Sequence, residues 1–213
     1  MAKAPVAGQV KTRLCPPLSP QDAAELSRCF LLDKIAQVRQ VTRAEPVVGY
    51  APESAAAVFE ALAPGFTLLQ QRGDDLTARL LSILERLFAG GCEAAIMIDS
   101  DTPTLPVEFL ERAVTLVASG EHDLVLGPSD DGGYYLIGLR EPRPILFEDV
   151  PWSTADVLAV TLARARGLGL RVRLLPAWFD VDTEADLHRL RDELAAGGIG
   201  PTRTAAFVRD LAH

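Results

Sequence analysis

Short apolar runs closed by turn residues alternate with longer segments of helical period along almost the whole chain. This alternation limits the fold more than any other feature. A helix between two strands carries the chain back across a sheet, so neighbouring strands run parallel and helices cover both faces. Ser19 and Pro20 open the first helix: Ser19 caps it, Pro20 fits its first turn, Asp22 faces its positive end, and it runs to about Val41. Pro46–Tyr50 reads as a buried strand, Glu53–Leu62 as a helix and Phe66–Gln70 as a strand. Asp75–Phe88 places Leu76, Leu80, Ile83, Leu84 and Leu87 close to the helical repeat. Ala94–Ile98 reads as a strand, Pro106–Ala118 as a helix, and Asp123–Gly127 and Tyr134–Leu139 as strands. Thr154–Arg166 is then a helix, Arg171–Leu175 a strand and Thr183–Leu194 a helix, with room for one short helix after Gly200. No repeat, low-complexity run or long linker divides the 213 residues, so one domain is expected over 1–213, with 201–213 as its tail.

At this length folding hides roughly 70% of the chain's surface, so the core needs no metal or disulfide staple. No apolar run approaches the ~20 residues that span a bilayer, and no apolar signal segment opens the sequence. The three cysteines, Cys15, Cys29 and Cys92, form no C-x-x-C pair. Their odd number argues against a disulfide framework, and a reducing, cytoplasmic setting away from membranes is expected. The net charge of -8 disfavours nonspecific binding to nucleic acid. Against that acidic background, three cations on a loop marked by Pro5 and Gly8 stand out: Lys3, Lys11 and Arg13.

In open α/β sheets, ligands bind beyond the carboxyl ends of the strands. Ala94–Ile98 is followed by Asp99-Ser100-Asp101-Thr102-Pro103. Two carboxylates at that spacing suit Mg²⁺ or Mn²⁺, which want oxygen ligands. The bland alternative is a loop in which Asp101 or Thr104 caps the next helix. Asp123–Gly127 is followed by Asp130-Asp131-Gly132-Gly133. This reads first as a tight turn, and also as a glycine loop that admits a ligand to the backbone. Arg171–Leu175 is followed by Phe179-Asp180-Val181-Asp182-Thr183, and Thr183 with Asp186 forms a capping-box pattern. That pattern leaves Asp180 and Asp182 unexplained, and the two acidic clusters could meet over one cation. Ser153 with Asp156 also looks like a cap, while Trp152 suits the core or a ligand ring. His122, His188 and His213 show no metal-ligand spacing and receive no chemical role. Neither a G-x-S-x-G elbow nor a G-x-G-x-x-G fingerprint is present.

In order, the motifs are K-A-P-V-A-G-Q-V-K-T-R-L, I-D-S-D-T-P-T-L, G-P-S-D-D-G-G-Y-Y-L-I-G-L, P-W-S-T and F-D-V-D-T-E-A-D-L. This set resembles the bacterial family of rSAM/selenodomain-associated transferase 1, the arsenosugar-type glycosyltransferases, from about Ala2 to Leu187. The resemblance implies an α/β GT-A-like nucleotide-diphospho-sugar transferase fold, with a mostly parallel Rossmann-like sheet and helices on both faces. The wider superfamily includes 2-phospho-lactate and molybdenum cofactor guanylyltransferases.

By that resemblance Lys3, Gly8, Lys11 and Arg13 would wrap the nucleotide phosphates, and Asp75 would lie near the nucleotide. Asp101 would bind the metal, with Asp182 as the second carboxylate and Asp99 as a less secure third. Asp130, Asp131, Gly132 and Gly133 would line the acceptor side with Trp152, and Asp131 or Asp130 would serve as base. Relatives carry a hydrophobic strand before the basic loop. Here Met1 lies almost on that loop, so either the true start lies upstream or the central strand is truncated, and a truncation would leave the nucleotide pocket without its floor.

The leading expectation is a glycosyltransferase that uses Mg²⁺ or Mn²⁺, a nucleotide-sugar and a small-molecule acceptor. The runner-up is a nucleotidyltransferase that joins a nucleoside triphosphate to a phosphorylated acceptor. A non-catalytic nucleotide-binding protein is the third reading. Oligomeric state is left open.

Overall fold

A computed structural model of the chain describes residues 1–197 and 200–211; His213 lies outside the described residues. In chain order the elements are β1 (Ala2–Lys3), α1 (Pro20–Val38), β2 (Val47–Ala51), α2 (Ala56–Leu62), β3 (Thr67–Gln70), α3 (Leu76–Ala89) and β4 (Ala95–Ile98). Then come α4 (Val107–Ala118), β5 (Leu124–Pro128), β6 (Tyr134–Leu139), α5 (Val157–Gly167), β7 (Val172–Leu174), α6 (Glu184–Ala195) and α7 (Thr202–Asp210). None of the described helices is long and apolar enough to cross a membrane.

The strands form a parallel sheet, β1-β2-β3, and a second sheet ordered β4-β6-β5-β7. The Met1 amino group donates to the Ile98 carbonyl, 2.8 Å, where β1 comes up to β4. In the second sheet β5 and β7 run parallel, while β6 runs antiparallel to both β4 and β5. The reason is local: residues 129–133 between β5 and β6 are too few for a crossover and permit only a hairpin.

Alternate strand residues face opposite sides of a sheet. Leu124 and Leu126 of β5 pack with Leu80 and Leu84 of α3 and Ala165 of α5. Val125 between them packs with Leu110, Ala113 and Val117 of α4. Helices therefore cover both faces of this sheet, and the fold is α/β as expected.

A third cluster fixes the segments that carry the site. Leu14 joins Leu26 and Phe30 of α1, Leu187 and Leu190 of α6, and Val208 of α7. Phe179 and Val181 enter the same cluster, so the intervening Asp180 and Asp182 are left to face away from it.

Two caps differ from the sequence expectation. The helix after Asp101 starts beyond Pro106 with no side-chain cap; Thr104 instead accepts a hydrogen bond from the Trp178 indole, 3.2 Å. Ser153 does not cap α5, because its backbone is left-handed (φ 65); the Thr154 hydroxyl takes the Asp156 amide, 3.3 Å. Ser19 and the Thr183–Asp186 capping box form as read. The cysteines are free, with Cys29 buried, Cys15 half-buried and Cys92 exposed.

Candidate active site

The site is assembled from the basic loop, the end of β4 and the segment leading into α6. Gly8 turns the loop with φ 75, and Leu14 buries its far end. Between them Lys11 points inward. Its Nζ lies 2.6 Å from Asp101 Oδ1 and 2.8 Å from Asp182 Oδ1, and its side chain is only 5% exposed. Arg13, 70% exposed, reaches Asp182 Oδ2 at 3.8 Å. The Val181 amide donates to the Asp101 carbonyl, 2.9 Å, and this bond ties the two acidic segments together. Burial pushes Lys11 toward its neutral form, but Asp101 and Asp182 outweigh it and hold its pKa above the ordinary lysine value.

Beneath Asp101 the loop is braced by Lys34, which sequence reasoning missed. Its ammonium donates to the Thr102 carbonyl and hydroxyl, 2.8 and 2.9 Å. The Thr102 hydroxyl in turn donates to Asp99 Oδ1, 2.9 Å, which also accepts from the Asp101 amide, 3.1 Å. Burial pushes Lys34 down to about 8 and raises Asp99. Asp99 therefore supports the loop from within and is not among the ion-pair partners of Lys11. Nothing in the residue pattern of α1 sets Lys34 apart, because a lysine on an amphipathic helix ordinarily faces water.

Asp180 was also left without a role. Its Oδ2 accepts from the Ser129 hydroxyl, 2.7 Å, and its Oδ1 is buried with no partner among the described residues. Burial, followed by the negative charges of Asp99, Asp131 and Asp101, pushes its pKa up to about 8. The signal that finds Asp180 is the alternation Phe179-Asp180-Val181-Asp182, which sets both acids on one side.

The β5–β6 loop forms the neighbouring wall. Gly132 is required by the turn itself: φ is 91, and a Cβ there would lie 2.2 Å from the Ala155 carbonyl. The Gly133 amide donates to Asp131 Oδ1, 2.9 Å. Asp130 Oδ2 pairs with Arg189 at 2.7 Å, and the Arg189 guanidinium lies 3.9 Å over the Phe179 ring.

Among the described residues, four expected nucleotide or substrate residues make no ion pair or side-chain hydrogen bond with Asp101 or Asp182. Lys3 is exposed on β1. Gly8 has open space where a Cβ would point. Asp75 caps α3, accepting from the Ala78 amide at 2.7 Å. Trp152 packs on the core, edge-on to Tyr134, and donates to the Thr77 hydroxyl at 2.8 Å.

Among the described residues no group of three or more His, Cys, Asp or Glu side chains could hold a metal by itself. Asp101 and Asp182 nevertheless converge on one cation, the Lys11 ammonium. An oxygen-only pair fits Mg²⁺ or Mn²⁺, ions that take the rest of their shell from water and phosphate.

The chain matches a crystal structure from Desulfovibrio desulfuricans G20, provisionally named a nucleotide-diphospho-sugar transferase. The match covers 98% of this chain and 94% of that one, with a TM-score of 0.88 and 32% identity. The structure of CMP:2-keto-3-deoxy-manno-octonic acid synthetase complexed with CTP matches with a TM-score of 0.56 over 78% of this chain and 88% of that chain. Its 15% identity carries the fold alone. In sequence, 140 residues are 33% identical to the phosphoenolpyruvate guanylyltransferase of Chloroflexus aggregans (strain MD-66 / DSM 9485), covering 64% of this chain and 65% of that protein. The likeness to the Desulfovibrio structure gives the chain the fold of a nucleotide-diphospho-sugar transferase. Residues 34–154 match the model of the family described as "Uncharacterized protein conserved in bacteria (DUF2064)", and the chain belongs to that family.

Proposed function

We propose that the protein is a metal-dependent nucleotidyltransferase that joins the nucleoside monophosphate of GTP to a small phosphorylated acceptor. The observation that carries this reading is the convergence of Asp101 and Asp182 on a single cation, with Arg13 beside them. Such a pair would hold Mg²⁺ or Mn²⁺, which when bound neutralises triphosphate charge. Lys11 and Arg13 bind phosphate oxygens, and Gly8 lets the loop backbone approach them. An oxygen of the acceptor phosphate attacks the α-phosphorus. That P–O bond forms as the bond to the α,β-bridging oxygen breaks, and pyrophosphate leaves.

An anionic acceptor needs no general base. This agrees with Asp130 being paired with Arg189 and Asp131 being drawn onto its own turn. The guanine base and the phosphorylated acid are proposed from the printed name of the Chloroflexus relative. A cytoplasmic setting is part of the same proposal.

A second reading is glycosyl transfer from a nucleotide-sugar, as in the rSAM-associated transferases. It is favoured by the name of the Desulfovibrio structure. Product analysis decides between them. The protein is incubated with Mg²⁺, GTP and phosphoenolpyruvate, and separately with nucleotide-sugars. Pyrophosphate release that is lost in Asp101→Asn supports nucleotidyl transfer. Nucleoside diphosphate released only from a nucleotide-sugar would sink it in favour of glycosyl transfer. No product from any pair of substrates leaves the non-catalytic reading.

A further inference from the structure

We infer that Lys11 is the resident counter-ion of Asp101 and Asp182, and that it must leave them when a nucleotide brings the divalent cation in. The inference rests on the nucleotidyltransferase reading and adds to it an exchange of cations that couples metal binding to nucleotide binding.

The geometry sets the two cations in competition for the same carboxylates. Nζ already sits 2.6 and 2.8 Å from the two oxygens that a metal would share. Magnesium would approach the same oxygens to about 2.0–2.1 Å. An ammonium and a divalent ion on the same two atoms would face each other at close range, and their repulsion opposes joint binding.

The charges argue likewise. Lys11 and, farther off, Arg13 offset the charges of the two carboxylates they face. A divalent ion added with Lys11 still in place would leave a large positive excess on a side chain that is 95% hidden from water. The triphosphate removes that excess and gives the ammonium a new partner. Lysine suits the exchange because its point charge rides on a flexible stem, whereas an arginine fork would be harder to move.

The backbone points the same way. Lys11 holds φ 49 and ψ 35, a left-handed conformation that non-glycine residues avoid. Such a conformation persists where its surroundings enforce it. Here the ion pairs draw on one end of the residue while buried Leu14 anchors the chain beyond it. Withdrawal of Lys11 from the carboxylates would release one of these two constraints.

Coupling of this kind is reciprocal: nucleotide tightens metal by the factor by which metal tightens nucleotide. The free protein should therefore hold Mn²⁺ weakly. The test measures Mn²⁺ binding by the loss of the free-ion electron paramagnetic resonance signal. It compares wild type, Lys11→Met and Asp101→Asn, with Mn²⁺ alone and with the α,β-methylene analogue of GTP. Lys11→Gln is carried in parallel, in case Lys11→Met fails to fold, and thermal unfolding verifies each variant.

The expected result is that Lys11→Met binds Mn²⁺ alone about tenfold or more tightly than wild type. The analogue should then tighten Mn²⁺ binding less in this variant than in wild type. If Lys11→Met and Lys11→Gln bind Mn²⁺ alone no better than wild type, while Asp101→Asn loses it, the inference is overturned and the metal site stands. If no variant binds Mn²⁺ with or without the analogue, the metal-dependent reading falls as well.

Discussion

The Ser129 hydroxyl donates to one oxygen of Asp180 at 2.7 Å, while the other oxygen is buried without a partner among the described residues. Burial, followed by the negative charge of Asp99, pushes the Asp180 pKa up to about 8. In the unfolded chain the same group titrates near ~4. Between those values the folded protein holds the proton more firmly, so stability falls as pH rises. The contribution is fully present below about pH 4 and lost above about pH 8. In thermal unfolding at about pH 5 and about pH 8.5, the melting temperature of Asp180→Asn relative to wild type should shift in the variant's favour as pH rises. A gap that stays constant would mean that Asp180 is ionised throughout.

Gly132 and Gly8 both take left-handed backbone, yet their alanine variants should differ. At Gly132 the added Cβ meets the Ala155 carbonyl oxygen at 2.2 Å and the Ala155 Cα at 2.6 Å, and backbone atoms cannot rotate aside. Gly132→Ala should cost about 2 kcal/mol or more, from clash and strain together. At Gly8 nothing lies within 4 Å, so Gly8→Ala carries strain alone, about 1 kcal/mol. Urea unfolding of the two variants measures the difference; equal costs would contradict the packing at Ala155.

Thr183→Ala removes the hydroxyl that accepts the Asp186 amide, with an expected loss of about 1 kcal/mol of stability. The effect should extend to ligand binding. Asp186 Oδ2 accepts from the Asp182 and Thr183 amides and from the Thr183 hydroxyl, so the cap also sets the position of Asp182. Metal-nucleotide affinity measured by calorimetry should weaken with stability; an unchanged affinity would separate Asp182 from the cap.

Arg189 lies over Phe179 and pairs with Asp130, with half its side chain open to solvent. Under the proposed reaction it meets the anionic acceptor. Arg189→Met should raise acceptor KM by about tenfold, ~1.4 kcal/mol, and leave nucleotide binding near the wild-type value. Steady-state kinetics with each substrate varied in turn checks this. A loss confined to nucleotide binding would move Arg189 to the other side of the pocket.

What was legible in the sequence was local. The period of α3, the Ser19 cap and the Thr183–Asp186 box are each written within a few residues, and each forms as read. The turn between β5 and β6 was legible as well, in Asp131-Gly132, and it sets β6 antiparallel to β5 against the parallel trend of the alternating elements. Ser153 with Asp156 looks like a cap in sequence, but α5 begins after Asp156 with no side-chain cap. Lys11 shows the larger limit. Its cationic loop pointed to phosphate, but its partners in the metal-free fold are carboxylates, one of them 171 positions away, and no local pattern encodes that pairing. Lys34 and Thr102 meet across 68 positions and were invisible for the same reason. Asp101 and Asp182 could be singled out because strand ends are where such folds bind ligands; their convergence is a property of the folded chain.

The span from Lys11 to Asp182 also has a meaning in time. Ribosomes add about 5–20 residues each second, so Lys11 is made roughly ten to thirty seconds before the acid that partners it. During that interval the nascent chain carries an unmatched ammonium and no second carboxylate to meet it. The Lys11–Asp182 ion pair cannot form until the segment leading into α6 emerges, so a fragment released early would lack it. The pair thus joins an early-made segment to a late-made one.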